Sequence, residues 1–168
     1  ITDNVHIRDL GNIPDFFAQP STGDLYRPLR QIFYAVNYHI WQLNTFGYHL
    51  NSFLLHFFVA VLFYFITLKL TQKTAFSFVA ALFFATHPVH VERITNMTAT
   101  FDVFGILFLL LAFFFYIIFS QKKNKNYFYL SIIFYIIALF SSEEAITLIL
   151  ILFLYDFGFN YRINVSNA

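Results

Sequence analysis

The chain has 168 residues, of which 59% are hydrophobic and 11% charged, and its mean hydropathy is +0.65. An ordinary soluble domain carries about 25% charged residues, so a soluble fold of this size could not cover so much apolar surface, whereas a bilayer removes that need. The net charge of +1 comes with no basic face beyond a few loop lysines, which argues against nucleic-acid binding, and the absence of cysteine excludes disulfides and thiolate chemistry and leaves the redox compartment unreadable.

Residues 1–26 are loop-like, punctuated by Pro14, Pro20 and Gly23 and made acidic by Asp3, Asp9, Asp15 and Asp24. No signal peptide opens the chain, and Ile1 to Thr22 reads like the middle of a loop, so a fragment or processed segment of something longer is expected. From Pro28 onward Leu29, Ile32, Phe33, Val36, Ile40 and Leu43 recur at spacings of three and four, which predicts an amphipathic helix over about 27–45. Pro28 suits a first helical turn, where its missing N–H costs nothing. Tyr34, Tyr38 and Trp41 favour a helix lying in the membrane interface over one packed on its own domain.

The apolar runs follow. His49–Leu68 has about the length that crosses a hydrocarbon core, and Lys69, Thr71, Gln72 and Lys73 break it. Phe76–Val91 is shorter and carries Ser77, Ala81 and Ala85 at four-residue spacing, where small residues let helix backbones approach. Val103–Phe119 is a third span, followed by Lys122, Lys123 and Lys125. Tyr127–Phe140 and Ala145–Tyr155 flank the polar knot Ser141–Ser142–Glu143–Glu144. They read as a tight hairpin with both ends near the surface in preference to one long broken helix. The expected fold is all-α, a polytopic transmembrane helix bundle. It comprises an extracytoplasmic loop over 1–47, a bundle of about five helices or half-helices over 48–157, and a cytoplasmic tail or start of the next loop over 158–168.

Orientation follows from the excess of Lys and Arg on cytoplasmic loops. With the Lys69/Lys73 loop inside, hairpin alternation puts Lys122, Lys123, Lys125 and Arg162 there too, with Asp156 as the one acid. Residues 1–47, the His87–Thr98 loop and the Ser141–Glu144 turn then face outward. Beyond residue 47 the outer side holds four acids, Glu92, Asp102, Glu143 and Glu144, against one base, Arg93. The expected setting is a multi-pass integral membrane protein of the plasma membrane in a prokaryote or the endoplasmic reticulum in a eukaryote.

Three outward features could carry chemistry. His87-Pro88-Val89-His90-Val91-Glu92-Arg93 offers two histidines and a carboxylate. Pro88 interrupts the helix, however, and two nitrogen ligands without the HExxH spacing favour a helix-ending turn over a metal site. Asp102 precedes an apolar run, and two readings stay open: a carboxylate favoured by the helix dipole, worth about 0.3–1 kcal/mol, or a functional ionisable group at membrane depth. Ser141 and Glu144 have the spacing of a capping box, which leaves Glu143 as the better functional candidate. Asn96-Met97-Thr98 and Asn164-Val165-Ser166 match the glycosylation triplet, which is common by chance and carries no weight.

The order of these motifs resembles a known family. It runs through Tyr26-Arg27-Pro28-Leu29, Asn37-Tyr38, Trp41, Gly47-Tyr48-His49-Leu50-Asn51, His56 and Ala80-Ala81-Leu82-Phe83-Phe84-Ala85. His87-Pro88-Val89-His90 with Glu92 comes next, then Ser141, Glu143, Ile146-Thr147 and Tyr155-Asp156. The pattern is similar to the membrane half of the transmembrane and tetratricopeptide-repeat-containing proteins and their microbial relatives, from about Asn4 to Asp156. The resemblance implies a GT-C type glycosyltransferase. Such an enzyme takes a sugar, typically mannose, from a polyprenyl or dolichyl phosphate and delivers it to a hydroxyl of a protein or glycan on the outer or lumenal face. It implies a lipid-phosphate-linked sugar as donor substrate, no cofactor, and leaves a divalent metal undecided. It also places the family's catalytic acidic pair, and a first transmembrane helix, upstream of Ile1, so no general base is assigned here. Where the family has an Arg two residues before the acid matching Asp102, this chain has Thr100. Where it has a Lys before the Glu matching Glu143, this chain has Ser142.

On this reading Arg27 is expected to contact donor phosphate, with Arg93 or Arg30 as other substitutes for the missing cations. Asp102 and Glu143 are expected to position donor or acceptor, and His87, His90 and Glu92 to shape the outer loop. Two readings from other classes stand beside it: a transporter or flippase, since membrane carboxylates also couple ions, and a non-catalytic membrane scaffold, given Thr100 and Ser142.

Overall fold

The computed structural model describes residues 5–18, 26–96 and 100–160. Asp3, Pro20, Gly23, Asp24, Met97, Thr98, Arg162 and the Asn164 triplet lie outside the described residues, as do most of 158–168 and the side chain of Arg93. The described residues are helical, with no strand among them.

Two short 3₁₀ turns, Val5–Arg8 and Leu10–Asn12, and the single turn α1, Asp15–Ala18, precede α2, Pro28–Trp41. The helix predicted to about residue 45 stops at Trp41. Gln42 takes a positive φ of 51°, and Asn44 starts a new helix by accepting a hydrogen bond from the Phe46 N–H at 3.1 Å. That helix, α3, runs Thr45–Thr71, so the first long apolar helix begins before His49. A left-handed residue, Gln72 (φ 58°), closes it and α4, Thr74–Thr86, turns back along it. α4 ends short of the expected Val91 because Pro88 disfavours helical backbone at His87, which is extended. A 3₁₀ turn Pro88–His90 and the short α5, Val91–Thr95, lead to α6, Thr100–Lys122. Left-handed Lys123 (φ 56°) and capping Asn124 then reverse the chain into α7, Lys125–Ser141. The 3₁₀ turn Glu143–Ile146 precedes α8, Thr147–Tyr155, which passes into a π-helical turn.

At 1.5 Å per residue α3 and α6 are about 40 and 35 Å long, more than the roughly 30 Å of a bilayer core. They are the two described helices long and apolar enough to cross a membrane. They run parallel: Ser52 and Thr100 share a hydroxyl contact of 2.5 Å near their starts, and Ile66 and Ile117 meet in one core nearer their ends. α4 returns along α3, tied by Thr71–Ser77 at one end and by His56 Nε2 to the Ala85 carbonyl, 3.0 Å, at the other. Ser77 and Ala81 are buried in this seam, so the small residues sit where the backbones close. α7 returns along α6. Ala112 is fully buried and its carbonyl accepts a hydrogen bond from Ser131 Oγ at 2.8 Å, while Phe115 stacks on Phe134. α8 reverses once more and leans on α6, with Tyr155 against Phe113 and Tyr116 donating to Asp156 at 2.6 Å.

Every described turn therefore falls at one of two ends. One holds Lys69, Lys73, Lys122, Lys123 and Lys125; the other holds Glu92, Asp102, Glu143 and Glu144. α2 packs on the acidic end. Its apolar face does not stay together. Phe33 packs on Phe101 and Phe104 of α6, Ile32 joins Ile7, Phe16 and Ala35 in a small core with the N-terminal turns, and Val36, Ile40 and Leu43 are exposed.

Candidate functional site

Arg27 sits at the N-cap position of α2, where the buried Pro28 sets the first turn. Its side chain is 13% exposed and ion-pairs through Nη2 with Oε2 of Glu143, whose side chain is 63% exposed. The two residues are 116 positions apart, so only tertiary folding joins them. Glu143 is aimed at α2 by the turn that follows α7. There the expected capping box from Ser141 to Glu144 does not form. Ser141 is fully buried and donates its hydroxyl to the Ile137 carbonyl at 2.8 Å, and the capping residue is Ser142, whose Oγ accepts from the Glu144 N–H at 3.3 Å. The turn can lie against α6 because Gly105 is there. A Cβ on residue 105 would stand 3.0 Å from the Ser142 Cβ and 3.4 Å from the Ser141 Cβ.

Arg30 is one turn further along α2, its guanidinium 5.8 Å from the centre of the Tyr34 ring. Burial raises the Tyr34 phenol above its ordinary pKa against the pull of Arg30, with Asp102 raising it further and Arg27 opposing. The Arg27 hydrogen bond holds the Glu143 carboxyl below the usual glutamate value, against a desolvation effect in the other direction. The charges of Arg27 and Arg30 lower it further. Asp102 lies half-buried in the first turn of α6, next to fully buried Phe101. The structure thus brings Arg27, Glu143, Arg30, Tyr34 and Asp102 to one place at the acidic end. It can hold an anion on two guanidiniums and presents carboxylates to a polar substrate. From the sequence Tyr34 reads as an interface aromatic and not as a site residue, although Arg27, Arg30 and Tyr34, at spacings of three and four, fall on one helical face.

The support beneath is buried and hydrogen-bonded. Asn37, 4% exposed, donates to the Phe33 carbonyl at 2.7 Å and accepts from Asn51 of α3. Thr100 and Ser142, at the positions where the resemblance expects Arg and Lys, are both buried hydroxyls that tie helices and cap a turn. The cations beside Glu143 are Arg27 and Arg30 of α2.

The histidine motif is engaged elsewhere, on the α3–α4 side. His87 Nδ1 accepts from the Val89 N–H at 3.2 Å and so caps the turn at Pro88. The His90 ring lies 4.4 Å from Phe84 and 5.2 Å from His56. Glu92 is exposed in the first turn of α5. Among the described residues no group of three or more His, Cys, Asp or Glu is arranged to hold a metal ion.

An all-helical fold among the described residues, with two helices long and apolar enough to cross a membrane, defines a helical membrane protein. Residues 27–165 match the family described as dolichyl-phosphate-mannose-protein mannosyltransferase, and the chain belongs to it. It is 38% identical over 86 residues to protein O-mannosyl-transferase TMTC2 of Mus musculus, covering 51% of this chain and 10% of that protein. It is 31% identical over 100 residues to protein O-mannosyl-transferase TMTC3 of Homo sapiens, covering 57% and 11%, and 31% identical over 88 residues to protein O-mannosyl-transferase F38B6.6 of Caenorhabditis elegans, covering 51% and 13%. The chain thus spans about a tenth of the length of these relatives. No solved structure matches.

Proposed function

We propose that this chain is part of a membrane glycosyltransferase. The enzyme moves a sugar, mannose by its family, from a polyprenyl or dolichyl phosphate to a hydroxyl of protein Ser/Thr on the extracytoplasmic face. The observation that carries the reading is the meeting of Arg27 and Arg30 with Glu143 and Asp102 at the acidic end of helices long enough to sit in lipid. Arg27 contacts the donor phosphate, since a guanidinium can grip phosphate through two parallel hydrogen bonds. Asp102 and Glu143 position the donor sugar or the acceptor hydroxyl, and His87, His90 and Glu92 shape the outer loop. No residue here is assigned as the general base, which must take the proton from the acceptor hydroxyl. The lysine end faces the cytoplasm, because Lys and Arg are retained on that side, and residues 1–47 face outward or into the lumen.

The test is sugar transfer from a lipid-linked mannose donor by membranes carrying the full-length protein. Arg27→Gln and Asp102→Asn are each expected to lower transfer at least tenfold while leaving ion flux across the membrane unchanged. Ion flux that depends on Asp102, with no sugar transfer, would replace the transferase by a transporter.

A further inference from the structure

We infer that Glu143 stands in for phosphate: its carboxylate occupies, on Arg27, the place that an incoming phosphate ester takes, and binding exchanges one anion for the other. This rests on the reading that the acidic end receives a lipid phosphate. Exposure is the first argument. The Arg27 side chain is 13% exposed and that of Glu143 is 63% exposed, so the carboxylate is the more accessible partner of the pair. An anion that binds the paired guanidinium nitrogen must displace Glu143.

The second argument is the difference in mobility between the partners. Arg27 leaves the backbone beside the buried Pro28 and reaches out under cover. Glu143 projects from a turn whose backbone is held by the Ser142 cap and by the close approach of Ser141 and Ser142 to Gly105. The turn stays in place while the exposed side chain swings away. An exposed carboxylate on an arginine contributes little, and a phosphate group, whose non-bridging oxygens can take two parallel hydrogen bonds from one guanidinium, competes with it. The third argument is charge. Arg30 follows Arg27 by one turn and also acts on Glu143, so a second guanidinium lies within electrostatic reach of the exchange. The donor is a phosphodiester with a single negative charge, like the carboxylate it replaces, and the phosphate monoester left after sugar transfer carries a second. The exchange also has a consequence for the site: seating a lipid phosphate releases Glu143 from Arg27.

The experiment measures binding of farnesyl phosphate and, separately, inorganic phosphate to the full-length protein in nanodiscs, with no sugar present. Glu143→Gln is expected to bind farnesyl phosphate about fivefold more tightly than wild type at neutral pH, the upper range for removing an exposed competing ion pair. The ratio between variant and wild type should shrink towards one as the pH falls, because a protonated Glu143 no longer competes. Arg27→Gln, alone or combined with Glu143→Gln, should bind poorly. A gain for farnesyl phosphate alone identifies a headgroup presented from the bilayer; a gain for both probes identifies the phosphate group itself. Either gain supports the exchange. If Glu143→Gln binds as wild type does, or more weakly, the carboxylate holds Arg27 in position and the exchange is wrong. Glu143→Asp, whose shorter side chain reaches Arg27 less well, must show the same direction of change if the glutamine variant unfolds. Wild type that transfers sugar while Glu143→Gln binds no tighter overturns the exchange alone. Tighter binding in a protein that transfers no sugar overturns the transferase reading alone.

Discussion

Gly47 sits in the first turn of α3 beneath the indole of Trp41, the last residue of α2, and this contact sets the elbow between the two helices. A Cβ on residue 47 would fall inside van der Waals contact of the indole Cγ, Cδ2 and Cε3. These atoms are the base of the ring, which cannot bend aside, so the whole indole must leave. Gly47→Ala therefore brings two opposed effects. Alanine is favoured over glycine in a helix by about 1 kcal/mol, and forcing the indole out of its place costs about 1–3 kcal/mol. The expected net change is a destabilisation of about 0–2 kcal/mol. In a Trp41→Ala background the obstacle is gone and the same substitution should stabilise by about 1 kcal/mol. The measurement is the thermal midpoint of the detergent-solubilised protein for the wild type, both single variants and the double variant, a cycle that isolates the coupling. A Gly47→Ala shift of the same sign and size in both backgrounds would show that the elbow is not built on this contact. Because α2 carries Arg27 at its far end, about 20 Å from the elbow at 1.5 Å per residue, the single variant should also weaken lipid-phosphate binding.

Gly105→Ala sets helix propensity against the approach of Ser142, and since the turn must give way by a few tenths of an ångström, donor binding should fall even where the thermal midpoint barely moves. Asn37→Ala removes the buried partner of Asn51 and should destabilise by about 1–3 kcal/mol, read as a lower thermal midpoint. Glu143 has a depressed pKa in the fold, so its contribution to stability is present above the unfolded glutamate pKa and is lost as the pH falls through the folded value. The acid side of a midpoint-against-pH curve should flatten in Glu143→Gln. Tyr116→Phe takes away the hydrogen bond to Asp156 that pins α8 to α6 and should cost about 1.5–3 kcal/mol, seen as faster proteolysis after Tyr155.

Helical class, apolar runs and the sorting of charge were legible in the chain because each is a local or compositional property. Twenty apolar residues without a charge read the same way in any context, and lysines next to such runs mark one end of them. Asp102 and Glu143 were likewise picked out singly, as charged residues at helix ends in an otherwise apolar chain, and Arg27 through the family resemblance. What lay beyond the sequence was their assembly. The Arg27–Glu143 pair spans 116 positions, and nothing periodic links a helix start to a turn so far away. The split of the α2 face, the move of the cap from Ser141 to Ser142, and the recruitment of Tyr34 and Arg30 all depend on which surface meets which neighbour. Hydrophobic periodicity states that a face is apolar and not what will cover it. The charges sorted to one end of the bundle were therefore written in the sequence, whereas their convergence into one cluster was decided by packing α2 and the Glu143 turn against the start of α6.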